Sequence, residues 1–67
     1  MSHKYRVDTV TRYYGAGYSN TKHYFAGSIK EIVDGLERFG NYEKHRPTLY
    51  TEYLGYGIRD HFVTRLY

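Results

Sequence analysis

The stretch SIKEIVDGLERFG, residues 28–40, decides the fold. Ser28 and Glu31 stand at the spacing of a capping box, in which a serine hydroxyl and a glutamate carboxylate each take one of the unpaired N–H groups at a helix start. Ile29, Ile32, Val33, Leu36 and Phe39 then fall on one face of a 3.6-residue period. Gly40 supplies the left-handed residue that ends a helix. The spacing predicts one amphipathic helix from Ser28 to about Phe39, with Lys30, Asp34 and Arg38 as an i,i+4 series on its outer side. Gly35 is the discordant residue, costing about 1 kcal/mol relative to alanine in a helix interior. It lies at the margin of the apolar stripe. Two readings are open: close backbone packing against a strand, or a gap that seats a side chain from a partner.

On both sides of this helix the chain reads as strands. Lys4 to Tyr14 is rich in Tyr, Val and Thr, with no Gly or Pro. Gly15 to Asn20 is turn-forming, and Thr21 to Ala26 completes a hairpin. Asn41 to Pro47 reads as a polar loop, in which Pro47 turns Arg46 away from helical geometry. Thr48 to Leu54 is a third strand, Gly55 to Gly57 a turn, and Ile58 to Tyr67 a fourth strand. The expectation is a small single α+β domain of order β-β-α-β-β, with the helix packed on one face of a mainly antiparallel sheet.

Size limits what such a domain can hold. The chain has 67 residues, and a domain of that length buries only about 60% of the surface its unfolded chain exposes. Hydrophobic residues make up 40% of it, but Tyr accounts for ten of them. A large internal substrate cavity is therefore not expected. With no cysteine, neither disulfides nor thiolate zinc sites can staple the fold. Net charge is +3, and it is uneven: both flanks are basic and residues 28–43 are acidic. No apolar run marks a secretory signal or a membrane span, and no Asn-x-Ser/Thr acceptor occurs. The expected location is a cytoplasm, a host's included, with no membrane partner.

Alternation along the strands divides their side chains between two faces. The expectation places Tyr5, Val7, Phe25, Leu54, Ile58, Phe62 and Leu66 beneath the helix. The reverse face would then carry Arg6, Arg12, Tyr14, Lys22, Tyr24, Tyr53, Arg59, Arg65 and Tyr67, among Val10, Leu49 and Val63. This division depends on strand register, since a one-residue slip exchanges the two lists. Tyr and Arg dominate binding hot spots because each offers large area and a polar tip. Arg12, Tyr14, Tyr24, Tyr53, Arg59 and Arg65 are the candidate partner-binding residues.

Motifs for chemistry are missing. His3, His23, His45 and His61 lack metal-ligand spacing, and the neighbours Asp60 and His61 point to opposite faces of a strand. The glycines at 15 and 17 lack the third glycine of a dinucleotide loop. Glu31, Asp34 and Glu37 sit on an exposed helix surface, which is no place for a paired-carboxylate acid and base. The reading is a non-enzymatic protein-binding module without cofactor or metal, in the manner of small phage-encoded inhibitors that occlude a host protein. Two alternatives remain: nucleic acid, with bases stacked on Tyr24 and Tyr53, and self-association through the uncovered face.

Overall fold

A computed structural model describes residues 3–67. The described chain has one helix and five strands: β1 (Tyr5–Tyr13), β2 (Ser19–Ala26), α1 (Ile29–Phe39), β3 (Asn41–Arg46), β4 (Leu49–Leu54) and β5 (Gly57–Arg65). The strands form a single antiparallel sheet in the spatial order β2-β1-β5-β4-β3. The α+β class and the helix-on-sheet arrangement agree with the sequence reading.

The helix forms where its sequence signals place it. Ser28 is the N-cap, and its Oγ accepts from the Glu31 N–H at 3.2 Å. The Glu31 carboxylate reaches back one residue further than expected, to the N–H of Gly27 at 3.0 Å. Gly40 closes the helix with a φ of 128°, a region that side-chain-bearing residues avoid. Ile32 and Leu36 are buried, and Ile29 and Val33 pack at the margin. Phe39, the last member of the apolar stripe, is 75% exposed and overhangs the sheet. On the outer side only Lys30 and Asp34 pair, at 2.9 Å.

One predicted loop is a strand. Residues 41–46 form β3, the outer edge of the sheet, joined to β4 by a tight turn at Pro47 and Thr48. Its composition is polar because an edge strand needs few apolar contacts and is protected from unwanted pairing by charge. Tyr42 ties it to the core, packing there while its O–H donates to Glu37 at 3.3 Å. The register shifts between Lys44 and Arg46, a bulge that further blunts the edge.

The helix joins the two outermost strands, β2 and β3, and so crosses the whole sheet. It crosses obliquely, from the row of Ala26 and Tyr5 before it to the row of Asn41 and Tyr53 after it, and leaves the corner around Thr11, Asn20 and Lys22 open. The core is Val7, Ala26, Ile32, Leu36, Tyr50 and Val63, with Tyr5, Tyr24 and Tyr42 around it. Directly opposed residues in an antiparallel pair share a face. The pairings Val7 with Val63 and Tyr24, and His61 with Tyr50, therefore fix the helix side of the sheet.

This register corrects the expected faces. Tyr5, Val7 and Leu54 do lie on the helix side. Phe25, Ile58 and Phe62 lie on the reverse, and Phe25 and Phe62 are 46% and 42% exposed. Conversely, Lys22, Tyr24, Arg59, Val63 and Arg65 belong to the helix side. Arg6, Val10, Arg12, Leu49 and Tyr53 are on the reverse as expected.

Candidate functional site

Two surfaces carry the side chains with functional potential. The first is the reverse face of the sheet, which no element covers. Register aligns Arg12, Ile58 and Tyr53 across one row, and Asp8, Phe62 and Leu49 across another. Phe25, Val10 and Thr21 extend it toward the β2 edge. Aromatic and aliphatic groups thus alternate with charges. The cations are paired within the face: Arg6 with Asp8 at 3.1 Å and Arg12 with Asp60 at 2.8 Å. Asp60 also accepts from Thr51 Oγ1 at 2.7 Å, and His45 Nε2 meets the same hydroxyl at 2.7 Å. The Tyr53 hydroxyl donates to Glu43 at 2.8 Å, which raises the phenol pKa above its ordinary value.

The second surface is the part of the helix side that α1 leaves open. Tyr24, Arg59, Glu52 and His61 form its floor, and Ile32, Gly35, Leu36 and Phe39 its wall, around a cleft of about 390 Å³. An adjoining hollow of about 290 Å³ shares Tyr24, Arg59 and His61 and adds Thr9, Thr11, Tyr13, Asn20 and Lys22. Together they make one trough, apolar beside the helix and polar beyond it. Gly35 opens it: a Cβ at that position would meet nothing within 4 Å. Close packing against a strand, one of the two readings of this glycine, is thereby overturned.

A hydrogen-bonded chain lies in the floor. His61 Nε2 is 3.0 Å from Glu52 Oε1, and His61 Nδ1 is 3.4 Å from the Tyr24 hydroxyl. A carboxylate only accepts, so Nε2 carries the proton and Nδ1 accepts from Tyr24. Burial pushes the His61 pKa below its ordinary value, with the Glu52 hydrogen bond opposing the shift. Burial likewise pushes the Tyr24 phenol up. Arg59 completes the set, with Nη1 3.8 Å from Glu52 and Nε donating to Thr11 Oγ1 at 2.8 Å. Both shifts favour neutral rings, so the chain fixes a tautomer and partners a buried carboxylate. Among the described residues no group of three or more His, Asp or Glu could hold a metal ion.

The six partner-binding candidates divide between these surfaces. Arg12 and Tyr53 are neighbours on the reverse face across Ile58. Tyr14, just beyond β1, is exposed and close enough to Tyr53 to contribute to the rise in its pKa. Tyr24 and Arg59 sit in the trough floor. Arg65 lies at the end of β5, where its Nε donates to the Tyr67 carbonyl at 2.8 Å. Sequence reading missed Phe25, Ile58 and Phe62 on the reverse face, and Thr11, Glu52 and His61 in the trough. A usable signal for Phe25 was Ala26, which ends the strand just before the helix cap. Small and buried there, it belongs under the first turn, and Tyr24 shares its side of the strand.

No protein-family model matches this chain, and neither the curated proteins nor the solved structures contain a match to it.

Proposed function

We propose that the chain is a non-enzymatic protein-binding module that docks through the reverse face of its sheet and acts by occluding the surface it covers. The carrying observation is that this face is uncovered yet presents Phe25, Phe62 and Tyr53 at 42–46% exposure. Phe25 and Phe62 stand on either side of β1, with Leu49 directly opposite Phe62, while Ile58 lies between Arg12 and Tyr53 toward the other end. Exposed apolar area framed by polar groups is the pattern of protein interfaces.

The charge pattern favours a protein over a nucleic acid. Arg6, Arg12 and Arg46 on this face are balanced by Asp8, Glu43 and Asp60. A phosphate backbone would have to displace the carboxylates already bound to Arg6 and Arg12, which lowers the counterion release that drives nucleic-acid binding. Arg12, Tyr14 and Tyr53 would anchor the partner at one end of the face, with Phe25 and Phe62 at the other.

The experiment is affinity capture from the native cell extract with nuclease present, comparing the wild type with Phe25→Thr/Phe62→Thr. Both sites are exposed strand positions where threonine is well tolerated. Support is a protein captured by the wild type, retained after nuclease and lost with the folded double variant. Capture that survives the double variant, or vanishes with nuclease, overturns the reading. Sedimentation of the pure chain decides whether the partner is a second copy: an 8.0 kDa species excludes that occupant, and a dimer abolished by the double variant identifies it.

A further inference from the structure

The polar half of the trough gathers unpaired donors and two cations, with no carboxylate in its lining. Thr11 is buried, and its oxygen accepts from Arg59 Nε, yet its own hydroxyl proton has no acceptor among the described residues. Arg59 donates Nε to Thr11 and stands 3.8 Å from Glu52 through Nη1, and its Nη2 has no side-chain partner among the described residues. Neither the Lys22 ammonium nor the Asn20 amide bonds to another described side chain. Register places these groups around one spot. Asn20 and Arg59 flank Thr11 on either side, and Lys22 flanks Thr9 in the next row. The one carboxylate in the floor, Glu52, stands on the far side of Arg59 and is already engaged by His61.

We propose that the trough binds a small amphipathic anion. Its aromatic or alkyl body lies along Ile32 and Leu36 in the gap that Gly35 leaves, and its single carboxylate or sulfonate head is held by Thr11, Asn20, Lys22 and Arg59. Charge complementarity selects the head: the polar hollow is lined by the cations Lys22 and Arg59 and by no carboxylate, so an anion is the group that balances it. Dimensions select a small molecule: hollows of about 390 and 290 Å³ match ligand pockets and are too small for a folded partner's surface. This site opens on the helix side of the sheet, away from Phe62, Tyr53 and Arg12 of the protein-docking face, and Phe25 on the edge strand borders both.

The test uses anilinonaphthalene sulfonate, which carries an aromatic body and one anionic head, titrated into the isotopically labelled chain. Amide resonances of Thr11, Asn20, Lys22 and Gly35 are expected to shift together and saturate. Gly35→Leu, whose side chain enters open space, is expected to abolish binding while retaining the fold. Lys22→Glu, on an exposed edge strand, is expected to weaken it about tenfold. Shifts confined to the face of Phe62, Tyr53 and Arg12 overturn the proposal, as does affinity unchanged in both variants. Equal binding of an uncharged anilinonaphthalene overturns the anionic head. Displacement of the probe by a single-stranded oligonucleotide overturns the small-molecule assignment in favour of nucleic acid.

Discussion

Gly35→Ala should stabilise the protein, and by a calculable amount. Gly35 is an interior helical residue, its φ lies outside the left-handed region, and an added Cβ would meet no atom within 4 Å. Nothing in the fold therefore offsets the helix propensity of alanine, and the full difference of about 1 kcal/mol should appear. At about 2.1 cal/mol/K per residue, unfolding this 67-residue chain carries an entropy of about 140 cal/mol/K. One kcal/mol then raises Tm by about 7 °C. Thermal unfolding followed by circular dichroism at 222 nm measures this directly, and urea unfolding should show a higher midpoint with an unchanged slope. An unchanged or lower Tm would refute the open-gap geometry, because it would mean that the Cβ displaces something packed against α1.

The opposite outcome is expected at Gly57. A Cβ there would collide with the Arg12 carbonyl oxygen and lie 3.0 Å from the Tyr13 Cα, both backbone atoms of the neighbouring central strand. Gly57→Ala should cost at least about 3 kcal/mol, enough to leave much of a domain this small unfolded, as loss of amide dispersion would report. The third prediction concerns acid. His61 titrates below its ordinary value because it is buried, with Glu52 and Asp60 opposing and Arg59 reinforcing the shift. The unfolded chain then takes up a proton at this residue before the folded one does, so the contribution of neutral His61 is fully present above about pH 6.5 and declines as pH falls below it. Urea midpoints measured between pH 7.5 and 5 should fall for the wild type and fall less for His61→Gln. Parallel curves would remove His61 as the source.

How far the sequence disclosed this molecule depended on whether a signal was local. The helix could be read because its cap, apolar stripe and terminating glycine all lie within residues 28–40. Four strands could be read because Tyr, Val and Thr suit pleated structure. β3 could not, since its pairing with β4 rests on backbone hydrogen bonds and on polar contacts of Glu43 and His45, and neither leaves a periodic pattern in NYEKHR. The faces failed at β5. Both of its lists mix apolar and charged residues, Ile58 and Phe62 with Asp60 on one side, Val63 and His61 with Arg59 on the other. Only the cross-strand partners Val7 and Tyr50 decide between them. Tyr24 illustrates the cost for the candidate site: as a strand tyrosine it looked like a surface anchor, whereas its ring packs on the core and its hydroxyl serves His61.

The strand order has a kinetic consequence. β1 and β5, first and last along the chain, are neighbours in the middle of the sheet, from Tyr13 beside Gly57 to Tyr5 beside Arg65. The hairpin of β1 with β2 and the meander of β3, β4 and β5 can each assemble from nearby residues. Uniting them requires closing a loop that takes in most of the polypeptide, and that entropy is lost before the central seam returns any contact. The expected rate-limiting step of folding is the meeting of these two halves, and substitutions at the Val7–Val63 junction should slow folding, measured by stopped-flow refolding, more than those in the turns at either rim.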